Sequence, residues 1–522
     1  MSAIPVVRFV PCALLLLLSI ASASPLPGDP VSDTFAVDVD GKPMPAIHYE
    51  DIAYVHFPLD ASAEIRITRL DGKAIGDHRI RPERMGYTGK AEGSTLTFTL
   101  DRPRHLVVNV DLLPKLFILA DPPVDDRPDV KAAGVVDIRD YDIDATGERS
   151  NTAMLQKAID ELPAGGTLYF PPGRYLTGSL KLKSHMTLYV DRGAIIKGNS
   201  IPDEHRFAGG YYLHFLYGAD LVNVSIRGQG TIDANGGEIR NAWQQKLEKR
   251  KVPGRVLRVE NIDNLEIRGV TFRDSYSWNV HLISCDNVII DNVKVLSSMS
   301  HSNGDGLDLD GCVNVLVKDC FLYCYDDAIS PKATSASGRT PQNFTVRNCV
   351  LWSQMATGIR LGSETHAPAF RNMVFENIDF LRANTMIRVF NFDGADIHDI
   401  VFRNLWIEEY TLFVKDAGFA EVHSDRDTNP GQTYLFQTYM KRRKPDSPVG
   451  RIRDILVENV RSQRHVKSRL DGLPGPDGGA TVYEVIFKNL REGDEPICDL
   501  EKAKIRVKEH AETPTVLCDE QP

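Results

Sequence analysis

Two periodicities organise the chain. From residue 33 to about 120, short runs alternate apolar and polar positions with period two. Examples are Thr34-Phe35-Ala36-Val37-Asp38-Val39, Glu64-Ile65-Arg66-Ile67-Thr68, Thr95-Leu96-Thr97-Phe98-Thr99-Leu100 and Leu106-Val107-Val108-Asn109-Val110. Turn residues such as Asp71-Gly72 separate them, which predicts strands with one buried face and a small β-sandwich-like module over 33–120. Asp121-Pro122-Pro123-Val124-Asp125-Asp126-Arg127-Pro128 predicts an extended, solvated linker over 121–133. Leu155, Ala158, Ile159 and Leu162 then form one helical stripe; Asn151 or Thr152 can cap it, and Pro163 with Gly165-Gly166 ends it.

The second periodicity is a repeat. An Asn or Asp, an alternating β-branched strand and often a closing Asn recur in Asn287-Val288-Ile289-Ile290-Asp291-Asn292, Asn314-Val315-Leu316-Val317-Lys318-Asp319 and Asn343-Phe344-Thr345-Val346-Arg347-Asn348. Steps from Asn287 to Asn314, Asn343, Asn372 and Asp399 are 27, 29, 29 and 27 residues, and the next, to Asp454, is 55, about two periods. Such spacing means a solenoid. Strand composition, and turn Asn residues that tolerate left-handed backbone and can stack along the coil, predict an all-β parallel β-helix over 134–510. The Leu-x-x-Leu-x-Leu signature of leucine-rich repeats is missing, and a β-propeller repeat is longer.

The repeat changes how the length reads. A chain of 522 residues suggests two or three ordinary domains, whereas a solenoid buries one long tube as its core. With 42% hydrophobic and 25% charged residues the composition is globular. The formal charge of −10 argues against nucleic acid or an anionic membrane as partner, and mildly against an acidic polymer. Arg8, the apolar run Ala13 to Ile20 and Ala21-Ser22-Ala23 predict a signal peptide over 1–23 and a secreted or periplasmic product; the run is too short to span about 30 Å of hydrocarbon. Seven cysteines follow it. Cys498 and Cys518 can staple the C-terminal tail, while Cys285, Cys312, Cys320, Cys324 and Cys349 fall in strand-rich sequence and read as buried thiols. Lys441-Arg442-Arg443-Lys444 predicts a solvated loop.

One constellation carries chemistry. Asp305, in Asn303-Gly304-Asp305-Gly306-Leu307-Asp308, precedes the pair Asp326-Asp327 by 21 and 22 residues, about one coil. The three carboxylates then share a wall at roughly the 4.8 Å rung spacing. Their repulsion raises at least one pKa, and a protonated acid beside an ionised base is what glycosidic hydrolysis needs. A Ca²⁺ site is a second reading of the same cluster.

Thr167 to Tyr175, Leu180-Lys181-Leu182-Lys183-Ser184, Gly193-Ala194, Gly228-Gln229-Gly230-Thr231-Ile232-Asp233, Ser277-Trp278-Asn279-Val280-His281 and the two Asp motifs occur in the order of glycoside hydrolase family 28. Over roughly residues 135–410 the chain resembles these polygalacturonases, of the pectate-lyase-type β-helix superfamily. The N-terminal module and Leu361-Gly362-Ser363-Glu364-Thr365 are also similar to dextranase-like family 49. The resemblance implies a right-handed parallel β-helix and an inverting hydrolase. It makes Asp327 the general acid, has Asp305 with Asp326 activate water, and implies no cofactor. It puts Asn303, Lys332 and Arg388 at the substrate, with Lys332 otherwise a surface cation. Trp278, Tyr276, Tyr325 and Trp352 offer stacking faces near the wall, Trp278 and Tyr325 foremost.

Two departures stand out. The family's Gly-His-Gly is Ala356-Thr357-Gly358 here, without the histidine, and its Arg-Ile-Lys is Arg388-Val389-Phe390, without the lysine. Phe in place of Lys suits a neutral or non-galacturonan sugar; Arg360, His366 and Arg371 are candidate substitutes for the lost cations. The expected protein is thus an exported, monomeric glycoside hydrolase acting on a polysaccharide. Its rivals are a polysaccharide lyase of similar fold, using Ca²⁺ and an Arg or Lys base, and a noncatalytic β-helical carbohydrate-binding adhesin. The insertion 411–450 can close one end of the cleft and favour exo action.

Overall fold

A computed structural model describes residues 29–518 except 125, 209–210, 213, 245–253, 411–433 and 464–466. The predicted signal peptide and most of the cleft-closing insertion lie outside the described residues.

The N-terminal alternation produces two five-stranded sheets packed face to face. The first contains Phe35–Val39, Ala63–Arg69 and Thr95–Leu100, and the second Ile52–Pro58, Lys115–Asp121 and Arg104–Val110. Ile65, Ile67, Phe98, Val55, Leu106 and Ile118 meet between them. The second sheet departs from the expected one-sided burial. Its alternate residues Ile52, Tyr54, Val107, Phe117 and Leu119 enter another cluster with Leu296, Phe321, Tyr323 and Trp352 of the following domain. Both faces are covered because this sheet docks onto a second sheet.

That second sheet belongs to a tube that has 32 strands among the described residues. The central rungs contribute one strand to each of three rows, while on other rungs a single long strand, such as Ala369–Ala383, runs through two of them. One rung comprises Asp286–Asp291, Lys294–Leu296 and Leu307–Asp310; the next comprises Val313–Lys318, Phe321–Cys324 and Ile329–Lys332. Pairing between rungs is parallel, with Val288 opposite Val315 and Leu307 opposite Ile329. Inward residues of successive rungs, such as Val288, Val315 and Phe344, make the continuous core. The stripe of helix Thr152–Glu161, through Leu155, Ala158 and Ile159, joins its first rungs.

The repeated Asn residues open the first row in left-handed backbone: Asn287, Asn314, Asn343 and Asn372 have φ of 52, 56, 62 and 54°. Each amide donates to the one before it, at 3.0 Å (Asn314 to Asn287), 2.9 Å (Asn343 to Asn314) and 2.7 Å (Asn372 to Asn343). A second ladder through Asn348, Asn377, Asn404, Asn459 and Asn489 closes the row.

Cys498 and Cys518 form a disulfide, and the other five cysteines among the described residues are buried thiols. Asp121 is a correction to the solvated linker. Wholly buried, it accepts from Lys294 Nζ at 2.5 Å and lies 2.6 and 2.9 Å from His56 and His105 Nε2. Burial opposes its charge, but Lys294 and the histidines outweigh that and hold the carboxyl well below its usual range.

Candidate active site

The second row packs on the N-terminal module through Leu296, Phe321 and Tyr323, and the third row follows it on each central rung. The turns between them carry the acids. Gly306 lets two of these turns meet, since a Cβ there would lie 2.4 Å from the carbonyl oxygen of Ala328 on the next rung. Gly306 N–H donates to Asp327 O at 2.9 Å, and Asn279, one rung earlier, donates through Nδ2 to Asp305 O at 2.8 Å. Each of Asp305, Asp326 and Asp327 thereby brings a carboxylate oxygen within 4.8 Å of the others.

Their surroundings differ. Asp327 is buried, accepts from Arg360 Nη1 at 2.8 Å and from Thr357 N–H at 3.1 Å. Burial works against its charge, but Arg360 and then Lys332 outweigh it and hold the carboxyl below the usual range. Asp326 is partly exposed; burial and then the charge of Asp327 push it up to about 6. Asp305 is raised well above the carboxylate range by burial and by Asp308 and Asp326. The trio therefore holds one carboxylate that stays ionised to low pH, Asp327, beside two that take up a proton more readily.

The third row supplies the floor. Leu307 and Leu309 enter the tube, so Asp308 and Asp310 project outward by the period of two. Lys332, expected at the substrate or otherwise as a surface cation, is buried at 3% exposure, 2.5 Å from Asp308 and 3.9 Å from Asp305, so the surface reading falls. Burial opposes its charge, and Asp308 and Asp305 outweigh that. Its ammonium also lies 3.9 Å from the Trp278 ring, beside the Arg255 guanidinium at 4.4 Å. Trp278 is thus a partly exposed lid on two cations. Exposed Asn303, at φ 63°, begins the turn into Asp305.

Three aromatics go elsewhere. Tyr325 and Trp352 pack between the domains at 8% and 2% exposure, and Tyr276 joins the tube core. Their rings fill space under the wall and offer little to a sugar. Arg360 is the cation that the missing histidine left unspecified, and it lies opposite Arg388 on the next rung. His366 instead lies 3.3 Å from Asp393, and Arg371 donates to Gln342 at 2.9 Å. Phe390 stacks on Phe392 with centroids 5.6 Å apart, and Tyr439 stands edge-on to both. The basic tetrad is partly engaged here: Arg443 binds Asp393 at 2.8 Å and Lys441 lies 4.3 Å from the Phe392 ring. Asp308 and Arg255 were missed as site residues, although Leu-Asp-Leu-Asp in a strand signals acids on an outer face.

The carboxylate trio could also hold a cation, the one such cluster among the described residues. Arg360 and Lys332 already supply positive charge to it, which fits a metal-free site better.

Residues 166–412 match the model of Glycosyl hydrolases family 28. A probable polygalacturonase of Vitis vinifera is 27% identical over 370 residues, 65% of this chain and 71% of that one. The chain is a polygalacturonase-like glycoside hydrolase. This hydrolase is also 26% identical over 335 residues to an exo-poly-alpha-D-galacturonosidase of Dickeya chrysanthemi, covering 52% of the present chain and about half (54%) of the relative. Its fold is like that of Dex49A from Penicillium minioluteum (TM-score 0.61, 13% identity, 95% of each chain covered), so that likeness of architecture includes the N-terminal module.

Proposed function

We propose that this hydrolase is an exported enzyme that cleaves a polysaccharide with inversion, and that a neutral sugar sits beside the scissile bond. The observation that carries the reading is a trio of carboxylates within 4.8 Å of one another in which only Asp327 is paired with the Arg360 guanidinium, at 2.8 Å. Asp326, partly exposed and raised to about 6, is the general acid that protonates the leaving oxygen. Asp327, kept ionised by Arg360, takes the proton of the attacking water, and Asp305, whose carboxyl is raised well above the usual range, positions that water by hydrogen bonding. These roles exchange those that family resemblance alone gives Asp326 and Asp327. The Arg360 ion pair is the reason: a carboxyl held ionised is a poor proton donor.

The neutral sugar follows from Phe390, backed by Phe392 and Tyr439, where polygalacturonases carry a lysine. A uronate is the second reading, favoured by Arg388 and Arg360 at 5.6 and 5.2 Å from the same ring. A reducing-sugar screen on galacturonan, rhamnogalacturonan, dextran and arabinan separates them; release from galacturonan alone would reject the neutral sugar. Proton NMR of the first product formed should show an inverted anomeric centre. Retention would reject the mechanism, and an unsaturated product absorbing in the ultraviolet would make the protein a lyase.

A further inference from the structure

The strand that leads into Asp305 is gripped from outside its own domain. At its start, Lys294 is held by Asp121 of the N-terminal module at 2.5 Å. Along it, Leu296 lies in the cluster with Tyr54 and Phe117. Just past its end, the Glu50 carboxylate accepts from Ser298 Oγ at 2.5 Å and from Met299 N–H at 2.7 Å, with Ser300 Oγ at 3.4 Å. Glu50 sits at φ 47°, in the turn between strands Ile47–Tyr49 and Ile52–Pro58. A non-glycine residue in that conformation persists where its surroundings hold it. Its neighbour Asp51 is anchored too, accepting from Tyr323 Oη at 2.7 Å and Lys115 Nζ at 3.2 Å.

The far side of the same turn is held by the β-helix alone. Ser297 Oγ donates to Gly304 O at 3.1 Å, and Asn279 donates to Ser297 Oγ at 2.6 Å. The segment between, Ser298 to Asn303, is held at Ser298 and Met299 by Glu50 and at His301 by Ser275, whose carbonyl oxygen lies 2.9 Å from His301 Nε2.

We propose that Glu50 is a positioning residue for catalysis: through Ser298 and Met299, the N-terminal module sets the placement of Asp305. The module is then a working part of the active site. A carboxylate accepts several donors at once, which suits a hydroxyl and an N–H converging from one turn. Misplacement of a reacting group by about 1 Å can cost on the order of 100-fold in rate, so a loosened tip acts on turnover more than on binding. The inference rests on Asp305 being catalytic.

The test compares full-length Glu50→Ala, Ser298→Ala, the double variant and Asp305→Asn on the fastest substrate of the four-glycan screen. Glu50→Ala should lower kcat about tenfold with KM within twofold, Ser298→Ala should lower it less, and the double variant should be close to Glu50→Ala, because the contact that Ser298→Ala removes is already lost in Glu50→Ala. Hydrogen exchange, which needs no substrate, should rise at least tenfold at the Met299 amide and stay unchanged along the Asn314 ladder. Wild-type kcat in Glu50→Ala, a rise in KM instead, independent multiplication of the two losses, or unchanged exchange at Met299 would each overturn the proposal. Should Glu50→Ala not fold, Ser298→Ala alone must show the kcat loss and the faster exchange. Full activity in Asp305→Asn would instead remove the catalytic reading beneath it.

Discussion

Two turns recur on every central rung, and they could hardly differ more. The turn that opens the first strand row repeats one residue in one conformation, Asn287, Asn314, Asn343 and Asn372, each amide bonded to the one before. The turn between the second and third rows repeats nothing. It carries Asp305 on one rung, Asp326-Asp327 on the next and Ala356-Thr357 after that, with partners drawn from other rungs and from the N-terminal module. The regular turn satisfies its own polar groups and needs nothing else. The irregular turn leaves like charges together in a buried wall, a cost that its surroundings offset through Arg360 and Lys332. Regularity marks the scaffold and its interruption marks the chemistry.

The contrast should be sharpest at Asp327. Asp327→Asn keeps the shape of the wall and removes the charge. Turnover should fall on the order of 1,000-fold, within the range for general acid–base groups, while circular dichroism and the melting temperature stay near wild type. Preserved turnover would dissolve the distinction between the two turns. Arg360→Gln comes next. Without the guanidinium the Asp327 carboxyl rises towards its partner's range, and kcat should drop roughly 30-fold with a lower melting temperature, because the pair is buried on the Asp327 side.

The pH profile gives the third effect. The Asp326 carboxyl is raised to about 6, so its proton is present below that pH and leaves as pH rises through it. As the general acid it should keep kcat/KM high below about 6 and lose about tenfold per unit well above it. A rate that climbs through this range would assign Asp326 to the base.

The regular turn should respond in stability alone. Asn343→Ala loses the amide bonds to Asn314 and Asn372 and places Ala at φ 62°, so about 2 kcal/mol should be lost in denaturant unfolding, with kcat unchanged. Asn343→Gly accepts the left-handed backbone and should lose about 1 kcal/mol or less. A fall in kcat in either variant would show that the scaffold turn reaches the site.

What was legible in the sequence follows the same division. The Asn repeat announces the β-helix because each copy lies one rung from the last, and the acids could be aligned by the same count. The partner of Asp327 could not, since Arg360 reaches it from the following rung by a side-chain direction no spacing encodes. Docking of the N-terminal module was half visible. The unbroken apolar run Leu116-Phe117-Ile118-Leu119-Ala120 is the pattern of a strand buried on both faces, but nothing in it says what covers the second face. Tyr325 and Trp352 looked like sugar platforms because an aromatic near an acidic turn serves a cleft or an interface equally well until the neighbours are known.

The five free thiols allow the tube to be timed from within. Cys285 and Cys312 sit on adjacent rungs, as do Cys320 and Cys349, all fully buried. Burial pushes Cys312, Cys324 and Cys349 well above the usual thiol range, so they are unreactive while the rungs stay closed. An alkylating reagent can therefore mark each of them only when its own rung opens. Mass spectrometry of partly labelled protein would then rank the rungs around Asp305 and Asp327 by how often they part, without any engineered probe.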